Sequence, residues 1–244
     1  MFNAAVASGM SLIALGLVAF LIWAIGRTSP TSAARPRRLL AAALGSFTWL
    51  GLLTGLAESG VLSRFDLKPP PLAIIACVSV FGAAALGLSR LGKQLSELPL
   101  ALLIGWQAFR FPLELTMHHA AEIGLMPTVM SYSGRNFDIV SGVSALALSL
   151  SMTQVQVPRW VVGVWQLASS ALLLNIIVVA IAATPMFRAF GESQLNTWVA
   201  YFPYVWLPGV MVSSAVLGHV VILRRLLSER RLFGLGAAAT VKPS

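Results

Sequence analysis

The chain has 244 residues, 57% hydrophobic and 10% charged, with a mean hydropathy of +0.83 and a formal net charge of +9. A soluble domain carries roughly 45–50% apolar and 25% charged residues, so this composition excludes an ordinary soluble domain and points to a multi-pass membrane protein. Apolar runs of bilayer length follow one another along nearly the whole chain, which therefore reads as a single transmembrane domain over residues 1–244. The basic residues fall between and after those runs, so they speak for orientation in a bilayer and not for nucleic acid.

The first apolar run, 4–25, has no basic residue before it and no small-residue cleavage site leading into a soluble sequence. It reads as a retained span and not a signal peptide. The second, 39–57, contains Gly51 and Gly55 in a GxxxG arrangement that permits close helix packing. The third, 71–89, follows Pro69, Pro70 and Pro71 and holds Cys77, the only cysteine. An intrachain disulfide and any cysteine-based metal or redox motif are thereby excluded.

The fourth run, 98–122, is the one place where a cluster of ionisable residues breaks an apolar span: Arg110, Glu114, His118, His119 and Glu122. The fifth, 138–154, is short and rich in serine, and a re-entrant course would lower the span count to six. The sixth, 160–183, carries Asn175, and the seventh, 203–225, follows the interfacial aromatics Trp198, Tyr201 and Phe202 and carries His219. The expected fold is an all-α polytopic helical bundle of about seven transmembrane helices. Alternate connections divide the basic residues unevenly. Arg27, Arg35, Arg37, Arg38, Arg90, Lys93, Arg159, Arg224, Arg225, Arg230, Arg231 and Lys242 fall on one side, against Arg64, Lys68, Arg135 and Arg188 on the other. The positive-inside rule then places the N-terminus outside and the C-terminus in the cytoplasm, in a plasma or inner membrane type of bilayer.

On a helix, residues 110, 114 and 118 drift by only about 40° per step, so Arg110, Glu114 and His118 form a stripe beside Met117. Glu114 is expected to reach both basic partners. Pro112 removes an amide and frees the carbonyl of Ala108, which kinks the helix. Counting about 1.5 Å per residue from the cytoplasmic end puts Arg110 about 16 Å deep, Glu114 about 22 Å and His118 about 28 Å. Asn175 falls level with Glu114, and Asp138 a little above it. The linker residues Arg135 and Asn136 add polarity on the same side. Together they describe a polar chamber that opens outward.

Charged and imidazole side chains inside a bilayer are costly and mark ligand or proton pathways. The leading reading is an outward-facing intramembrane site for a small ligand, ion or protons, in transport or relay, built from Arg110, Glu114, His118, Asn175, Arg135, Asn136 and Asp138. Two alternatives stay open. One is a metal-dependent membrane enzyme in which His118, His119 and Glu122 hold a transition metal, although adjacent histidines on a helix point about 100° apart. The other is a non-catalytic subunit packed among partners in a membrane complex. A bis-histidine haem is disfavoured because His219 counts to near the cytoplasmic side and His118 to near the outer side. A retinal Schiff base is disfavoured because every lysine falls in a loop or tail. The chain has no Walker loop, GxSxG, HExxH or dinucleotide fingerprint.

Overall fold

The computed structural model describes residues 3–239, with side chains through Ser228. Lys242 and the side chains of Arg230 and Arg231, three of the basic residues assigned to the tail, lie outside what is described. The described chain is all helical, with helices α1 (Ala4–Arg27), α2 (Ala34–Glu58), α3 (Pro71–Leu88), α4 (Arg90–Leu95), α5 (Leu100–Trp106), α6 (Arg110–Glu122), α7 (Ile139–Gln154), α8 (Arg159–Ala182) and α9 (Val212–Ala239).

Local chemistry sets the ends of these helices. The Asn3 side chain accepts from the Val6 amide to cap α1, and Ser89 accepts from Leu91 and Gly92 to cap α4. Pro71 opens α3 at a position where a missing amide costs nothing. At the other end of α3, the Arg224 guanidinium of α9 donates to the carbonyls of Gly87, Leu88 and Ser89 at 3.1, 2.6 and 2.8 Å. A cation on the last carbonyls of a helix favours its dipole and satisfies groups that have no intrahelical partner. Arg38 ties the same end together, donating to Thr28 O and Gln94 Oε1. This basic end of the bundle is therefore pinned by arginine.

Five helices are long and apolar enough to cross a bilayer: α1, α2, α3, α8 and the segment Leu207–Ser228. Their outward surfaces expose large apolar side chains, such as Leu12, Leu40, Phe81, Trp160 and Leu167. An apolar envelope of this extent is what a protein surrounded by lipid presents.

The two other expected spans take a different form. Residues 98–122 do not make one straight α-helix: α5 gives way to a 3₁₀ turn at Gln107–Phe109 before α6 begins. Pro112 accounts for the break, since its ring crowds the carbonyl of Ala108 and it has no amide to offer it. Helix α7 has 16 residues, about 24 Å of rise, which is short of a typical hydrocarbon core. The expected seventh span starts late. Residues 201–205 are largely turn, and Leu207–Met211 form a π-helical turn around Pro208 before α9. Trp49 of α2 donates to the Gly209 carbonyl inside that turn, at 3.0 Å.

Close backbone contacts bring the polar residues together. A Cβ on Gly142 of α7 would lie 2.2 Å from the Phe111 amide nitrogen, so glycine is required for α7 to approach α6 this closely. That approach delivers Asp138, at the N-terminal edge of α7, to Arg110.

Candidate functional site: a buried charge cluster beside an apolar cavity

Arg110 opens α6 and is 1% exposed. Its Nε donates to Asp138 Oδ2 at 2.5 Å and its Nη2 to Asp138 Oδ1, a two-pronged ion pair. Nη1 meets Ser169 Oγ at 2.8 Å and His219 Nε2 at 3.1 Å, and Nη2 also reaches the Ser169 carbonyl at 3.4 Å. A guanidinium has five N–H bonds, and all five have acceptors here. Arg110 is saturated by protein.

This overturns the expected pairing of Arg110 with Glu114. The reach along a helix face is real, but a planar fork gains more from a carboxylate that faces it with both oxygens, and α7 supplies one. In the 131–138 segment Ser131, Asn136 and Asp138 turn into the protein and are buried, while Ser133, Arg135 and Phe137 are exposed. The helix Cβ bonds of α6 lean toward its N-terminus, so the Arg110 side chain extends toward the basic end and meets His219 there.

His219, Ser169 and Gln166 are members of the cluster that the sequence reading did not include. Gln166 Oε1 lies 3.1 Å from His219 Nδ1, and its Nε2 donates to the His219 carbonyl at 3.1 Å. With Nδ1 donating to Gln166, Nε2 is left as the acceptor for Arg110, which is the neutral imidazole. A histidine and a glutamine in apolar spans were the available signal, but neither falls in the segment where the other charges concentrate.

Glu114, one turn along α6, is 2% exposed. Its hydrogen-bond partner among the described residues is Asn136, whose Nδ2 lies 2.8 Å from both carboxylate oxygens and 3.0 Å from the Met130 carbonyl. Asn136 Oδ1 in turn accepts from the Asp138 amide at 3.0 Å, forming a short side-chain turn that leads into α7. Glu114 and Asn136 are therefore brought together, through a contact the sequence reading did not specify.

The remaining candidates lie elsewhere. His118 does not touch Glu114: its Nδ1 is 2.9 Å from Ser131 Oγ, its Nε2 3.4 Å from Glu122 Oε1, and its ring stacks on Tyr132. His119 is 3.9 Å from the other Glu122 oxygen and half exposed. No three histidine, cysteine, aspartate or glutamate side chains among the described residues gather into a metal-holding group, His118, His119 and Glu122 included. Arg135 is exposed and lies over the Phe190 ring, and Asn175 donates to the Arg135 carbonyl at 2.8 Å. Asn175 thus fastens the 131–138 loop to α8, and Arg135 fastens it to the connection that follows α8, both apart from the buried cluster.

Beside the cluster is a cavity of about 290 Å³ bounded by α3, α6, α8 and the π turn ahead of α9. Its walls are apolar, with Leu113, Met117, Leu173 and Met211 among them. Arg110, Glu114, Asp138 and Asn196 supply its polar side chains. Asn196 is a further member missed from sequence. It is buried, its Nδ2 donates to the Ala180 carbonyl at 3.2 Å, and its Oδ1 has no hydrogen-bond partner among the described residues. Of its lining residues Met130, Asn196 and Val199 are buried, whereas Phe81 of α3 and Ile181 of α8 are 70% and 51% exposed. Among the described residues α3 and α8 are at most weakly packed against each other. The cavity thus faces sideways between them.

Compared with family models, curated proteins and solved structures, the chain matches none.

Proposed function

We propose that this chain is a polytopic membrane protein that handles a small ligand, in transport or relay, at a chamber centred on Glu114. In this reading α5 with α6, and α7, complete seven crossings with the five long helices, the N-terminus is outside, and the basic end of the bundle is cytoplasmic. The chamber then lies in the outer half of the membrane.

One observation carries the proposal. Arg110 has spent all its donors on protein, whereas Glu114 faces a cavity with a single donor hydrogen for a carboxylate that can accept about four. Asn136 has two N–H bonds, and one of them goes to Met130. With Arg110 and Asp138 matched, Glu114 is the surplus acid. Charge balance in a hydrocarbon setting asks for one positive charge beside it, from a proton or from a ligand. Exchange of one for the other is the step that transport and relay share. The site therefore selects hydrogen-bond donors, not anions, and Arg110 positions Asp138 without touching the ligand.

The test is reaction of the purified chain with dicyclohexylcarbodiimide, which modifies protonated carboxyl groups in apolar surroundings, followed by peptide mass spectrometry. The expected result is one adduct, at Glu114, absent from Glu114→Gln, with Asp138 protected by Arg110. Glu114→Gln should fold, since its amide oxygen can still accept from Asn136. An unmodified Glu114 in a folded wild type would remove the centre of the proposal.

A further inference from the structure

The sideways opening, joined to the polar end of the cavity, identifies the class of molecule that fits. We propose that the ligand is a single-tailed amphiphile with a cationic, hydrogen-donating head, a long-chain amine in chemical type, that passes between α3 and α8 from the lipid phase. This deepens the function proposed above and rests on it.

Three observations converge. First, the unfilled groups on the cavity wall are acceptors: the Glu114 carboxylate and Asn196 Oδ1, both on buried side chains. An ammonium supplies three donors and the positive charge that Glu114 lacks. A carboxylate or phosphate head would bring a second negative charge beside Glu114 and Asp138 and would find no free guanidinium N–H. Second, the rest of the wall is apolar, and Ala76, Cys77, Phe81, Ile177 and Ile181 carry that surface outward along the opening. The volume accommodates no fewer than roughly ten non-hydrogen atoms at the ~30 Å³ a water occupies in the liquid. Third, the exposed part of the lining is the apolar flank of α3 and α8, with Phe81 and Ile181 at 70% and 51%, while Met130, Asn196 and Val199 are each under a tenth exposed.

The physics of a lipid-borne ligand assigns the selectivity to the head. A tail leaving hydrocarbon for an apolar cavity gains little, because lipid is as apolar as leucine. Discrimination then comes from the charge-assisted contacts at Glu114. Competing amphiphiles of equal tail length should separate by head group alone.

The experiment uses the full chain in nanodiscs and a dodecylamine carrying a photoreactive diazirine near its tail end, with crosslinks mapped by mass spectrometry. Saturable crosslinks are expected within residues 76–81 and 176–181. Unlabelled dodecylamine should compete roughly tenfold better than dodecanol, and dodecanoate should not compete. Glu114→Gln should raise the amine concentration needed by roughly tenfold. Ala180→Trp, which fills the opening, should abolish the saturable signal while melting as wild type does. Equal competition by dodecanoate overturns the cationic head. Crosslinks that never saturate overturn the tailed ligand, and if the carbodiimide still modifies Glu114 in that sample the chamber itself stands. Loss of both signals overturns the chamber as well.

Discussion

Asn136 Nδ2 and the Glu114 carboxylate meet at 2.8 Å to both oxygens, and the same nitrogen meets the Met130 carbonyl at 3.0 Å. One amide thus joins the acid of the chamber to the loop that closes over it, and removing it acts on both. Asn136→Ala should cost about 1–3 kcal/mol, the penalty for leaving buried polar partners unsatisfied. Hydrogen exchange should rise at the Asp138 amide, which loses the Asn136 acceptor, more than at amides in α1 or α2. Unchanged exchange there would show that the loop is held by other contacts.

The Arg110–Asp138 pair is a second place where one substitution leaves a partner stranded. Arg110→Met buries an unmatched carboxylate and should destabilise the fold by about 3–5 kcal/mol. Arg110→Lys should recover little, because a point charge cannot meet two carboxylate oxygens, Ser169 and His219 together. The double variant Arg110→Met with Asp138→Leu should be milder than Arg110→Met alone. Unfolding in denaturant, taken around the full mutant cycle, measures this coupling directly.

Both acids and the arginine stood out in the sequence because charges in apolar spans are conspicuous, and Asn136 stood out in a polar linker. Their partners were not legible. A helical wheel brings residue 114 beside residue 110, but which carboxylate the guanidinium takes depends on how close α7 comes, and that is decided by the absence of a side chain at Gly142. His219 was counted toward the cytoplasmic side, away from His118, and its meeting with Arg110 was not legible because it depends on how far the long arginine side chain reaches. Asn196 lies in a connection without periodic signal, and only the three-dimensional path of that connection brings it to the cavity.

Gly142→Ala tests the packing argument on its own. The added carbon would fall 2.2 Å from Phe111 N and 2.8 Å from Arg110 C, which are backbone atoms that cannot swing aside. The variant should lose at least about 1–3 kcal/mol, as overpacked sites do, and should weaken the Arg110 pair with it. Gly163→Ala, where a Cβ meets nothing within 4 Å, is the control that should melt as wild type does.

Orientation is checked with single cysteines in a Cys77→Ser background. An impermeant maleimide added to intact cells should label Ser133→Cys, in the loop after α6. Thr31→Cys, between α1 and α2, should react only after permeabilisation. Both positions are exposed, so access and not burial decides the result. The opposite pattern would invert the topology.

The loop after α2 supplies a quieter prediction. Arg64 donates to both Asp66 oxygens at 2.8 and 2.7 Å, and this hydrogen bonding holds the Asp66 carboxyl down to about 2. A lowered value in the folded state means that the pair's contribution is present above the ordinary carboxylate range and fades as the pH falls through about 2. Because both side chains are well exposed, Asp66→Asn should leave the melting temperature unchanged at neutral pH.

The 3₁₀ turn at Gln107–Phe109 has an effect on the residues after it. Three residues advancing at about 120° each, where an α-helix advances about 100°, turn everything downstream by roughly a sixth of a revolution and lift it about 1.5 Å. The azimuth at which Arg110 and Glu114 point is thus fixed by uncharged neighbours. Chief among them is Gln107, fully buried and bonded through Nε2 to the Ala215 carbonyl at 3.2 Å. Residues outside the charge cluster therefore aim those within it, and a harmful change at Gln107 would be a fault of bearing, with every charged group still in place.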